Sequence, residues 1–380
     1  MTITAGARTY SGDRVSIWRQ IDPILILTSL AITTLGIIVI YSATRGPGGD
    51  TPVVTSYLER QSVFAAIGVG LMVVVMAFDF RHLREILPAL YVGVIVLLCA
   101  VLVIGVETNG AKAWFRTPLF NVQPSEFGKL VLIVSLAVLF GNGPEVPSLG
   151  RVLGAFVVSG PLIGLILLQP DLGTVLVYGA ILAAILLVVG TRGRHLALLA
   201  IGLAFAAVLS VQLGVLDEYQ VDRLTAFIDD APSNENRGVF EHQQNAQIAI
   251  GNGGMFGQGL FNGIQNRSAS VPEQQTDFIF TVVGEELGFV GSTALIVLYG
   301  VLILRIWRIA ALAHEYQGTL LCVGVLAMLL FQVFESIGMT IGIMPITGIP
   351  LPFVSYGGSS VLTSFMALGI VESVHMRRYA

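Results

Sequence analysis

Five short stretches carry residues that could do chemistry, and each sets ionisable or hydroxyl groups beside an apolar run. In "VPEQQTDFIFTVVGEELGFVG", residues 271–291, Asp277 stands where a polar segment gives way to an apolar one, with Glu285 and Glu286 about two turns further in. In "QPSEFGKL", Pro124 suits a first helical position, and Glu126 in the same turn is favoured by the positive end of the helix dipole. Lys129 follows three residues on, on the same helical face, so the two could pair inside the membrane. "QPDLGT" repeats the form with Asp171, for which helix capping is an equally good account. "NGAKAWF" sets Lys112 beside Trp114. Tryptophan is a common interfacial anchor, whereas a lysine at that depth would suit an anionic head group. "GIPLPFVSYGGSS" presents Ser355, Tyr356, Ser359 and Ser360 around a proline and glycine turn, which taken alone reads as a helix cap with an interfacial tyrosine. Ionisable residues within a membrane are costly and mark substrate paths or proton relays by default.

The elements that must position these groups are membrane spans. The chain is 54% hydrophobic and only 12% charged over 380 residues, with mean hydropathy +0.82, which excludes a soluble globular protein. A net charge of −4 without a basic cluster gives no footprint for nucleic acid. Cys99 and Cys322 both lie in apolar runs and read as packed thiols. The polar first 20 residues lead into an apolar run too long for a signal-peptide core, so that run is expected to be an uncleaved first span. Runs long enough to cross about 30 Å of hydrocarbon fall near 22–42, 58–78, 86–105, 125–140, 151–168, 172–190, 195–215, 277–304, 318–342 and 357–375. The expectation is therefore an all-α polytopic membrane protein of about ten spans, one domain over 1–380, with both termini on one side.

Arginine distribution indicates which side. Arg8, Arg14, Arg19, Arg81, Arg84, Arg151, Arg192, Arg194, Arg305, Arg308, Arg377 and Arg378 all fall in one set of connections, which should be cytoplasmic. The opposite set holds the candidates named above and one large loop between spans seven and eight, near 216–276, which contains Arg223. A connection of that length is usually functional or disordered. Its glycines 251, 253, 254, 257, 259 and 263, interleaved with apolar residues, favour an ordered loop that re-enters the interface. It is no Walker loop, because no Gly-Lys-Ser/Thr follows.

In this order, "NGAKAWF", "QPSEFGKL", "QPDLGT", "AIGNGGMFGQG", "VPEQQTDFIFTVVGEELGFVG" and "GIPLPFVSYGGSS" closely resemble the SEDS family of bacterial shape, elongation, division and sporulation proteins. "PEQQTDFIF", "GEELGFVG" and "LPFVSYGGSS" are most similar to its rod-shape branch. Gln275, Asn252, Gln258 and Ala113 depart from residues frequent in the family. The resemblance implies a ten-helix fold in the bacterial cytoplasmic membrane. It also implies a peptidoglycan glycosyltransferase that polymerises lipid II into β-1,4 strands during cell elongation and releases undecaprenyl pyrophosphate.

By the same resemblance the essential acid of the fourth outward loop falls on Asp277, as general base towards the attacking hydroxyl. Lys112, with Arg116 and Arg223, would face the pyrophosphate. Glu126 and Lys129 would line the cavity that receives the lipid, and Asp171 and Ser355 are further substrate-binding candidates. Glu285 and Glu286 would belong to the inner end of that path or to a structural pair. A divalent cation, Mg or Mn, could share the charge of the leaving group. The implied partners are a class B penicillin-binding protein as transpeptidase and the rest of the elongation machinery. A lipid II flippase or polytopic transporter is the competing reading, since the intramembrane acids alone would fit it. The concentration of polar candidates on one face argues against alternating access.

Overall fold

The computed structural model describes residues 20–44, 55–108, 111–117, 121–143, 146–195, 197, 237–267 and 274–378. Helix α1 (Pro23–Ala43) starts where Asp22 Oδ1 accepts from the backbone N–H of Ile24 (3.0 Å) and Leu25 (3.2 Å), with Pro23 at the position that needs no N–H partner. Helices α2 (Ser56–Ala77) and α3 (Leu83–Ile104) follow, then α4 (Pro124–Phe140), α5 (Leu149–Leu167) and α6 (Leu172–Val188). The long connection between α6 and the next span contributes α7 (Arg237–Asn252) and α8 (Ile264–Arg267), and the chain closes with α9 (Ile279–Leu312), α10 (Tyr316–Ile341) and α11 (Gly358–Met376).

Nine of the expected spans thus have a helix at the expected place among the described residues, while the seventh, near 195–215, falls almost wholly outside them. Seven of these helices are long and apolar enough to cross a membrane, and α4 and α6 have 17 residues each. In the apolar stretch of α11, 94% of residues are buried, against 17% for α3, so α11 is central and α3 faces outward. α4 is buried on every side from Leu130 to Ala137. α2 and α11 pack closely through small residues: a Cβ on Gly68 would lie 2.5 Å from the Phe365 ring, and one on Gly369 would lie 2.8 Å from the Met72 carbonyl.

Two features depart from the sequence expectation. A small antiparallel sheet, β1 (Val106–Thr108), β2 (Ala111–Arg116) and β3 (Asn121–Val122) in that order, crosses the connection between α3 and α4. Its strands are too short for a legible period-2 pattern, and a turn-rich loop was the natural reading. The eighth span is also longer than expected and broken. At 34 residues α9 would be about 51 Å long if straight, but Gly288 adopts φ 66° and ψ −164° and kinks it.

The two ends of the bundle differ chemically. At one end Arg305 pairs with Asp22, Arg81 with Glu315 (2.7 Å) and Arg377 with Asp79 (3.3 Å). Lys112, Asp277 and Ser355 lie on the connections at the other.

Candidate active site

Asp277 is half-buried in a turn over 274–278 that leads into α9. That turn is fixed from the loop before α11. Ser355 Oγ donates to the Thr276 carbonyl (2.5 Å) and accepts from Leu351 N (2.8 Å), and Tyr356 N donates to the Gln275 carbonyl (2.8 Å). Gln61 on α2, fully buried, steadies the same loop by donating Nε2 to the Ser355 carbonyl (3.1 Å) and accepting from Gly357 N (3.4 Å). One turn on, Ser359 Oγ donates to the Asn121 carbonyl (3.3 Å) and accepts from Gln123 N (3.0 Å), which ties the loop to the mouth of α4. Within it Phe353 holds φ 67° with its ring edge-on to Phe365 at 5.1 Å. Such a conformation costs on the order of 1–3 kcal/mol and persists where packing overdetermines it. Ser355, 2% exposed, thus has its hydroxyl committed to Asp277's turn.

The mouth of α4 gathers three more candidates. Lys129 Nζ lies 2.6 Å from Glu126 Oε1, with the residues 1% and 4% exposed. Asp171 caps α6: Oδ1 accepts from Thr174 N (3.0 Å) and Oδ2 from Thr174 Oγ1 (2.7 Å). Asp171 Oδ2 also accepts from Gln123 Nε2 (2.9 Å), so the two "QP" mouths are joined. Tyr178 on α6 donates to the Ser125 carbonyl (2.8 Å) beneath them. Lys112 stands apart from this group on β2, where its Nζ donates to the Val103 carbonyl at the end of α3 (3.0 Å). Arg223 lies outside the described residues.

Glu285 and Glu286, each 1% exposed, make contacts of the structural kind. Glu285 Oε1 accepts from Gln265 N (2.7 Å), and Glu286 accepts from Ser42 Oγ (2.5 Å) and Phe261 N (3.1 Å). Around the kink the loop supplies the hydrogen bonds that the broken helix gives up. Gln258 N and Gly259 N donate to the Glu285 and Glu286 carbonyls (3.0 Å each), while Phe289 N and Val290 N donate to the carbonyls of Gly254 (2.9 Å) and Met255 (3.1 Å). The approach requires glycine: Gly257, at φ 78°, would place a Cβ 2.1 Å from the Glu286 carbonyl oxygen. Gly288 lies about 14 Å along α9 from its start, a depth at which irregular backbone survives only against protein. Met255 and Phe256 are 60% and 81% exposed there.

Sequence reasoning missed Glu335. It is fully buried in α10, with Oε1 accepting from Thr347 Oγ1 (2.9 Å) and Oε2 without a hydrogen-bond partner. Next to Thr347, Ile346 packs with Ala246 and with Phe278, the residue after Asp277. Its signal is an acid three residues after Gln332, at helical spacing inside an apolar run, away from the span mouths that supplied the other candidates. On α7, burial holds the His242 imidazole below its usual pKa, with Glu241 pulling the other way. Among the described residues no three carboxylate, histidine or cysteine side chains form a cage for a metal ion.

Comparison with known proteins places this arrangement. A profile of the FtsW, RodA and SpoVE family, described as cell cycle protein, matches residues 23–380. Stage V sporulation protein E of Bacillus subtilis (strain 168) is 36% identical over 367 residues, covering 93% of this chain and 96% of the relative. The peptidoglycan glycosyltransferase MrdB of Escherichia coli (strain K12) is 34% identical over 372 residues, covering 97% and 98%. Among solved structures, the rod shape determining protein RodA of Thermus thermophilus aligns with a TM-score of 0.71 at 32% identity, covering 96% of this chain and 99% of that one. A chain of a peptidoglycan synthase complex, solved for its coordination of polymerization and crosslinking, aligns with a TM-score of 0.79 at 32% identity, covering 94% and 98%. With the matched stretch running from the first residue of α1 through the last residue of the chain, the protein belongs to the FtsW, RodA and SpoVE family of cell cycle proteins, the SEDS family that its motifs resemble.

Proposed function

We propose that this RodA-like peptidoglycan glycosyltransferase polymerises lipid II during cell elongation, with Asp277 as its general base. Relatives named for that activity support the reaction class. The observation that carries the assignment of Asp277 is its turn: a half-buried acid at a helix mouth, held by Ser355 and Tyr356 through the two residues before it. Lipid II has its tail in the bilayer and its sugars and pyrophosphate just outside, so a base acting on it has to stand at such a boundary.

In the reaction the 4-hydroxyl oxygen of the acceptor's N-acetylglucosamine attacks the anomeric carbon of the donor's N-acetylmuramic acid. Asp277 takes the hydroxyl proton as the new β-1,4 bond forms. The α-linked bond to undecaprenyl pyrophosphate breaks on the opposite side, and the electron pair leaves with the phosphate oxygen. Lys112, with Arg116 on the same strand and Arg223 in the outward loop, would offset that charge. Glu126 and Lys129, at the joined mouths of α4 and α6, would receive the lipid with Asp171. A Mg or Mn ion fits as a guest of the pyrophosphate rather than of a protein cage, because Mg keeps few protein ligands in phosphate sites, and no step above depends on it.

The arginine-bearing end and both termini are assigned to the cytoplasm, and Asp277 to the outer face of the cytoplasmic membrane. The matched synthase complex couples polymerization to crosslinking. On that precedent a class B penicillin-binding protein would supply the transpeptidase within the elongation machinery. Labelled lipid II given to purified Asp277→Asn protein tests the central step. A loss of at least ~100-fold in glycan formation, with folding intact, is expected for a missing general base. Near-normal chain synthesis would remove Asp277 from the mechanism, and lipid movement between leaflets without chains would favour the flippase reading.

A further inference from the structure

The hold on Asp277's turn begins on α2. Tyr57, Gln61 and Phe64 stand at i, i+4 and i+7 and so share one face of that helix. That face meets Tyr356 and the peptide groups on either side of it. The Tyr356 ring lies edge-on to Tyr57 at 4.9 Å and tilted against Phe64 at 6.3 Å. Gln61, fully buried, donates Nε2 to the Ser355 carbonyl (3.1 Å) and accepts at Oε1 from Gly357 N (3.4 Å). A carbonyl needs a donor and an N–H needs an acceptor, so the grip calls for one side chain that offers both. A carboxylate has no donor, and neither has methionine.

The segment that Gln61 grips is the one that holds the catalytic turn. Ser355 Oγ donates to the Thr276 carbonyl (2.5 Å) and Tyr356 N to the Gln275 carbonyl (2.8 Å), and these two residues directly precede Asp277. α2 is itself seated closely on α11 at Gly68 and Gly369, so the Gln61 amide is carried by the packed bundle. We propose that Gln61 is a positioning residue for glycan synthesis: its amide sets the 355–357 segment, which in turn sets the turn that carries Asp277. The inference rests on Asp277 acting as general base. Displacing a reacting group by about 1 Å costs on the order of 10²-fold in rate, so a lost grip should show in turnover before it shows in substrate binding.

The test is lipid II polymerisation by purified full-length protein, with kcat and KM measured separately and melting followed alongside. Gln61→Met is expected to lower kcat roughly tenfold or more while KM for lipid II stays within about threefold of wild type. Ser62→Ala removes a neighbouring hydroxyl whose bond, to the Leu58 carbonyl (2.8 Å), stays within α2, and it should keep the wild-type rate. In an Asp277→Asn background Gln61→Met should cost little more, because the effects of residues that act as a unit do not add. Gln61→Glu covers the case in which Gln61→Met does not fold. Only its protonated form restores a donor to the Ser355 carbonyl, so its rate relative to wild type should fall as the pH is raised. A wild-type kcat in Gln61→Met, a loss confined to KM, losses that add in full in the double variant, or a Gln61→Glu ratio that is flat with pH would each overturn the inference while Asp277→Asn remains inactive. Near-normal synthesis by Asp277→Asn alone would instead remove the general-base reading on which it stands.

Discussion

Lys129 is buried to 1% exposure in a helix that is apolar from Leu130 onward except for Ser135, and a lysine there is tolerable only because Glu126 lies 2.6 Å away. Removing one partner of such a pair leaves a buried charge that costs about 3–5 kcal/mol. Lys129→Met alone should therefore lower the melting temperature and the yield, and Glu126→Gln combined with Lys129→Met should recover much of both. If the double variant recovers stability but not glycan synthesis, the pair also serves the substrate. Singles that match wild type in melting and synthesis would make the pair idle. This contact was legible in the sequence because both partners lie on one helix, where spacing i, i+3 fixes their geometry. Asp171 was half legible: its capping bond is local, whereas its bond from Gln123 comes from 48 residues away. Ser355 could be noticed as a hydroxyl in a turn, but its partner, the Thr276 carbonyl, is set by tertiary packing alone.

At the scale of elements, the break in α9 and the loop that fills it form one unit. The stretch over 253–263, between α7 and α8, has no regular structure of its own, so its backbone groups have to be satisfied by the helix turn that Gly288 opens, and the glycines at the crossing are a steric requirement. Gly257→Ala should force the loop off the helix, since its Cβ would meet the Glu286 carbonyl at 2.1 Å and its φ of 78° is strained for any side chain. Expected are a lower melting temperature and faster proteolysis within 253–265, with lost synthesis following if the loop covers the substrate. Gly251→Ala is the matched control: nothing lies within 4 Å of its Cβ, and alanine in a helix should be neutral or stabilising by about 0.4–1 kcal/mol. Equal melting and cleavage for the two variants would refute the interlock. The glycine run signalled an ordered loop, but its partner did not show, because "GEELGFVG" is as compatible with a continuous helix as with a kinked one. The sheet between α3 and α4 was hidden for a related reason, its longest strand having only six residues.

For the whole molecule, the spans were the most legible feature, because a helix that faces lipid must be apolar over its full length whatever it packs against. Burial was far less legible. α3 and α11 both read as spans, yet one is outermost and the other central, and the exposed one is the more apolar. In lipid the outward face is the more apolar, and the interior carries polar groups such as Glu335, Glu372 and Ser364. Orientation rests on the separation of charge between the two ends: Arg81, Arg305, Arg308, Arg377 and Arg378 gather at one, and Asp277 with the α7 loop at the other. The proposed orientation puts the first end in the cytoplasm, as the arginine bias would have it. Single cysteines replacing Arg194 and Gln244, both exposed, report on the two ends. With Cys99→Ser and Cys322→Ala as background, Gln244→Cys should react with a membrane-impermeant maleimide in intact cells, and Arg194→Cys only after the membrane is opened. Labelling of both positions from outside, or of Arg194→Cys alone, would invert or break the proposed topology and would put Asp277 on the wrong side for glycan synthesis at the outer face.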